Sequence, residues 1–222
     1  MNLFYTSVKI FKKDFKSELR NRYVINSLLM FVLVTISIIK FSIGDEKVEG
    51  DILSGLLWIV IFFAAISGLA RVFIKEEEKE TTFALKLSVD PISIFIGKLF
   101  LNLVLTFFVN IFILFLYVLI TSFDTHNFSA FLIIIVLGNI GLVSASTIIA
   151  AIISKANTKG TLYPVLAFPV MLPLLITVIS ATKLASSGAE TYTMMSEYQI
   201  LFSYAVVVTT VSLLLFKFIW ED

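Results

Sequence analysis

Six runs of apolar residues recur along the chain, near 24–43, 52–73, 97–121, 129–153, 161–182 and 200–220. An α-helix needs about 20 such residues to cross a hydrocarbon core of roughly 30 Å, and every run supplies that length. Inside a bilayer each backbone N–H and C=O must be bonded within the protein, which a helix does for itself. The runs therefore predict an all-α, polytopic membrane protein of six transmembrane helices, with residues 1–222 forming one membrane domain. Composition agrees: 59% of the 222 residues are hydrophobic, 15% are charged, and mean hydropathy is +1.00, too little polar surface for a water-soluble domain of this size.

Charge sets the topology. With the N-terminus in the cytoplasm, fourteen Lys and Arg residues fall on the inner side, from Lys9 and Lys12 through Lys155, Lys159 and Lys217. Only Lys40, Lys47 and Lys183 fall outside. That bias, with an even number of spans, predicts both termini in the cytoplasm. Residues 1–23 are basic, and Phe4, Val8, Phe11, Phe15 and Leu19 recur at spacings of three and four. The pattern predicts an amphipathic helix lying in the headgroup layer, with Lys9, Lys12, Lys13, Lys16, Arg20 and Arg22 on its other side. The apolar run after it is too long for a cleavable signal, so the first span is read as retained.

Little chemistry is available inside the spans. Cysteine is absent, which removes disulfides, thiolate metal sites and a cysteine nucleophile. His126 is the only histidine, and it falls in an outer loop. No carboxylate lies within a span, which leaves few groups for acid–base or nucleophilic work. The catalytic, metal and cofactor-binding sets are read as empty. His126 is expected to be a solvated loop residue, Trp220 an interface anchor.

Three features inside the spans point to packing or passage. In the third span Lys98, Asn102, Thr106 and Asn110 stand four apart. Polar groups at that depth face protein rather than lipid, either bonding a neighbouring helix or lining a substrate path. Pro164, Pro169 and Pro173 crowd the fifth span, where each removes a backbone donor. A broken or kinked helix, covered by protein, is expected there. Asn102, Asn110 and the three prolines are the candidates for a translocation path or gate. Ala64 with Gly68, and Gly141 with Ala145, give small-residue faces for close helix packing.

The longest inner loop, residues 71–98, reads RVFIKEEEKETTFALKLSVDPISIFIGK. Residues 75–90 predict a short charged helix with an apolar edge, ended by Pro91, before a new helix begins towards Gly97. A solvated face is one reading of such a run; a docking element for a soluble partner is the other. The stretch resembles the cytoplasmic loop of ABC-2 type permeases. The residues that carry the likeness are Glu77, Glu78, Thr82, Phe83, Leu85, Pro91, Gly97 and Lys98. Thr81 stands where those permeases often have Gly, and Ala84 where they often have Glu.

A second stretch narrows the resemblance. Residues 160–176, GTLYPVLAFPVMLPLLI, are similar to the fifth-helix segment of the haem-exporter permease of cytochrome c maturation, the CcmB family. Phe168, Pro169, Pro173, Leu174 and Leu175 carry that pattern, and residues 13–23 and 56–73 add to it. The resemblance implies an ABC-2 type permease fold in the bacterial inner membrane, served by a separate ATPase subunit. It assigns coupling to Glu76, Glu77, Glu78, Thr82, Phe83, Leu85 and Pro91. The chain has no G-x-x-x-x-G-K-[ST] phosphate loop of its own. Implied partners are the ATPase, other cytochrome c maturation membrane subunits and a haem chaperone, with two permease half-units per complex and no nucleic acid. Haem is implied as a transported or handled ligand, with no cofactor stably bound. Export of a polysaccharide, lipid or drug by the same kind of permease is the alternative. Without the resemblance, a secondary transporter or a passive scaffold would also remain open.

Overall fold

A computed structural model describes residues 3–20, 22–44, 46, 48–69, 72–73, 76, 82–155 and 159–221. Its elements are α1 (Leu3–Arg20), α2 (Arg22–Ile43), α3 (Gly50–Leu69), α4 (Thr82–Ser88), α5 (Pro91–Thr121), α6 (Phe128–Ser154), α7 (Lys159–Ser186), a short 3-10 turn (Thr191–Met194) and α8 (Met195–Glu221). No strand occurs among the described residues, and six helices are long and apolar enough to cross a membrane. The chain is an all-α, multi-pass membrane protein.

The span boundaries hold to within a few residues except for α5. Pro91 does not merely end the helix before it: it occupies the first turn of α5, where its missing N–H costs nothing. The Asp90 side chain caps that turn by accepting from the Ser93 N–H at 3.3 Å. Helix α5 consequently starts six residues before the apolar run and reaches 31 residues. At its other end Ser122 adopts a left-handed conformation (φ 54°) and donates its N–H to Val118 O.

Helix α6 is the buried centre, packed against α3, α5, α7 and α8. Small residues make that possible. A Cβ at Gly138 would lie 2.5 Å from Cη2 of Trp58 and 2.9 Å from Cγ1 of Val178. The Trp58 ring cannot simply yield, because its indole N–H donates to Thr182 Oγ1 at 2.8 Å. Gly141 meets Leu174 and Tyr204 in the same way, and Gly68 on α3 receives Leu28 of α2. Gly138→Ala is expected to cost about 1–3 kcal/mol, the range for overpacking a filled core. Thermal unfolding in detergent checks it, with Gly55→Ala as the control, since a Cβ there meets nothing within 4 Å.

The buried polar stripe of α5 turns to its neighbours. Asn102 donates to Thr147 Oγ1 at 2.9 Å, and Asn110 donates to Asn139 Oδ1 at 3.1 Å, both on α6. Helix α7 runs unbroken from Lys159 to Ser186 through all three prolines, rather than being broken there. Pro169 and Pro173 lie on its exposed side with Val165, Phe168 and Ile176, not under cover within the chain. The side chain of Pro164 lies outside the described residues. Trp220 is not an interface anchor: it is buried and stacks on Phe216, with ring centroids 5.4 Å apart, beside Phe73 and Phe95.

At the far end the connections are stapled together. His126 Nδ1 lies 2.8 Å from Ser186 O, and the Asn127 amide donates to Ala189 O at 2.8 Å. Asn127 also caps α6 by accepting from the Ala130 N–H. His126 thus holds a loop rather than standing fully in solvent, although the residue is still exposed.

Candidate coupling site

Helix α1 turns an unexpected side to the protein. Its buried residues are Thr6, Ser7, Ile10 and Asp14, a strip of small and polar side chains. Phe4 and Leu19, of the apolar stripe, stay exposed, and Phe11 and Phe15 are half-buried. At 100° per residue the helix has three sectors: a small polar one towards the bundle, an aromatic one, and a basic one. In lipid an aromatic face needs no protein cover, whereas small residues allow close approach.

The approach is made at Gly97. A Cβ there would sit 2.9 Å from Ser7 O and 2.9 Å from the Ile10 side chain. Only glycine lets α1 cross α5 this closely. The crossing brings Asp14 alongside the next residue of α5, Lys98.

Lys98 is 2% exposed, and its Nζ lies 2.9 Å from Asp14 Oδ2, 2.9 Å from Glu76 Oε1 and 3.2 Å from Val72 O. Lys13 bridges the same two carboxylates, at 3.2 Å from Asp14 Oδ1 and 3.1 Å from Glu76 Oε1. Two ammonium groups and two carboxylates alternate around one point. The point joins α1, α5 and the residues Val72 and Glu76, which follow α3 in the chain. Burial pulls the Lys13 ammonium down, but the Asp14 and Glu76 carboxylates more than offset this, so its pKa rises above the ordinary 10.5. On the ammonium side its contribution is therefore complete below 10.5 and is lost as pH rises above that value. A cavity of about 430 Å³ opens beside the cluster, lined also by Lys16, Glu18 and Arg20.

A cluster of this kind is a joint more than a source of net stability. Desolvating the three buried charges of Lys98, Asp14 and Glu76 offsets much of their attraction, with Lys13 closing the cluster from its exposed side, while removing Lys98 leaves its partners buried and undercompensated. Side-chain position is therefore tightly specified across three elements.

Of the residues assigned to coupling from the sequence, Glu76 is in the cluster. Thr82 opens α4 and is buried, Leu85 packs half-buried on the core, and Pro91 opens α5. Glu77, Glu78 and the side chain of Phe83 lie outside the described residues. The path candidates Asn102 and Asn110 sit together along the α5–α6 contact, apart from the prolines on the outer side of α7. Sequence reasoning missed Asp14 and Lys13. The available signal was Asp14 itself, one of two acids on a basic segment and directly beside Lys13.

No individually curated protein gives a significant match to the chain. A protein-family profile described as "CcmB protein" does, over residues 5–219. The match takes in α1, the cluster and all six spans, so the chain belongs to the CcmB family, the haem-exporter permease component of cytochrome c maturation.

Proposed function

We propose that this chain is the membrane half of an ATP-driven haem-handling transporter whose ATPase is a separate subunit docking on residues 75–90. The observation that carries the reading is the Lys98 cluster. It ties the segment leading into the docking region directly to α1 and α5, so a displacement of that segment cannot leave the bundle unmoved. ATP binding would close the ATPase pair; the cluster would pass the movement to α5 as one packed body. Differential contacts that drive the switch would reside on the ATPase. Haem is then cargo or a handled ligand, either moved or released with its loaded chaperone, and no cofactor is held at rest.

Positive charge supports an orientation with both termini and residues 75–90 in the cytoplasm, where ATP is available. The outer side of α7 supports pairing of two half-units. Pro169 and Pro173 leave the carbonyls of Val165 and Pro169 without their usual helical donors, and such groups are stable in a membrane only beside protein or water. The same side is the gate in this reading; Asn102 and Asn110 set how α5 turns on α6.

Charge reversal tests the docking. Glu77→Lys with Glu78→Lys is expected to cut co-purification of the ATPase at least about tenfold while six-span insertion continues, an effect on the scale of unpairing interfacial charges. Undiminished co-purification would refute docking at this segment. Deleting the gene and staining membrane cytochromes for covalent haem separates haem handling from export of a polysaccharide, lipid or drug: haem handling requires loss of the stain.

A further inference from the structure

We infer that α1 and α5 together hold one anionic glycerophospholipid of the adjacent leaflet, with an acyl chain in the groove between them and its phosphate on Lys12 and Lys16. A groove of about 190 Å³ runs between the two helices, lined by Phe4, Val8, Phe11, Ile96, Gly97 and Phe100. Its walls are almost wholly apolar. Phe100, on a helix long and apolar enough to cross a membrane, is half-exposed and gives the groove an apolar border.

The helical order of α1 places charge beside it. Val8 and Phe11 line the groove; Lys12 stands one step further round the helix and Lys16 two, where it also borders the cavity beside the ion cluster. The other lysines of α1 are occupied: Lys13 belongs to the buried cluster, and Lys9 Nζ lies 4.4 Å from the centroid of the Tyr5 ring. Lys12 and Lys16 are exposed and have no carboxylate partner among the described residues. An acyl slot beside two exposed cations, neither paired with a carboxylate among the described residues, matches a single amphiphile with a negative head. A second protein is a poorer fit, since a groove of about 190 Å³ holds little more than a length of acyl chain. The attraction of basic side chains for anionic leaflets supplies the selectivity, and the aromatic sector supplies the insertion.

The test uses the assembled complex in nanodiscs of phosphatidylcholine with a minor share of phosphatidylglycerol, followed by native mass spectrometry of the lipid retained on this subunit. Wild type is expected to retain phosphatidylglycerol above its share. Lys12→Gln and Lys16→Gln are each expected to lower that enrichment about fivefold, as for loss of one basic residue at a membrane surface. Lys12→Arg should preserve it. Val8→Trp, which fills the groove, should reduce retention of both lipids alike. Excess inorganic phosphate should displace nothing. Enrichment unchanged in both glutamine variants would overturn the proposal. So would displacement by inorganic phosphate, which would mark a site for free anions. The glutamine variants change only exposed side chains, so the question stays answerable even if the tryptophan variant fails to fold.

Discussion

Lys98→Met is expected to lower stability by about 3 kcal/mol and to abolish delivery of haem to cytochromes. The substitution keeps the volume of the side chain and removes its charge. Asp14 and Glu76 are then left facing each other, 7% and 8% exposed, with Lys13 still paired to both. Breaking a buried pair costs about 3–5 kcal/mol, and the surviving Lys13 places the loss at the lower end. Thermal unfolding in detergent measures the first effect; a stain for covalent haem measures the second. The decisive comparison is the quadruple variant Lys13→Gln, Asp14→Asn, Glu76→Gln, Lys98→Met. A neutral cluster should recover most of the stability, because an ion cluster exchanged for uncharged groups is close to neutral overall. Recovery of stability without recovery of haem delivery would assign the charges to transmission. Wild-type stability in Lys98→Met alone would mean that the three elements are not joined through this amine.

Gly97→Val is expected to act on the same joint from the other side. The new side chain meets the backbone oxygen of Ser7 at under 3 Å and cannot be relieved by a rotamer change there. Helix α1 must lift from α5, which separates Asp14 from Lys98. Overpacking accounts for about 1–3 kcal/mol, and the opened ion pair adds to it. Limited proteolysis reads the outcome directly: Lys12, Lys13 and Lys16 should become trypsin-sensitive in the variant and stay protected in wild type. Gly97→Ala should give an intermediate result. Equal protection in all three would show that α1 does not depend on this crossing.

The two variants concern the part of the molecule that the sequence conceals best. Spans are legible because each apolar run must match bilayer thickness, a constraint local to some 20 residues. The amphipathic nature of α1 is legible for the same reason. Its inward side is not: Phe4, Val8, Phe11, Phe15 and Leu19 look like the buried stripe only if water is the surrounding solvent. With lipid outside, Thr6, Ser7 and Ile10 go inward and the aromatics need not. The cluster itself joins residues 63 and 22 positions apart, and no periodicity reports on such distances. What the sequence does carry is the dipeptide Gly97–Lys98, whose two halves prove to be one device: the glycine admits α1 and the lysine receives its carboxylate. The stripe through Asn102 and Asn110 was readable as facing protein, since polar groups four apart in a span have nowhere else to go. The prolines were readable as an anomaly, but not as an outward-facing one, because position around a helix says nothing of which neighbours the helix has.

The length of α5 has a mechanical consequence. Its 31 residues rise about 46 Å, well beyond a hydrocarbon core of roughly 30 Å. A rigid rod of that length works as a lever: tilting it by about 5° at Lys98 swings the opposite end, about 34 Å away, by about 3 Å, on the order of a hydrogen-bond length. Near that opposite end Tyr117 donates to Leu53 O at 2.7 Å, the contact that fixes α5 against the start of α3. A sub-ångström adjustment among four charges on one face can thus be magnified into a making or breaking of contacts on the other, with no part of the chain needing to unfold.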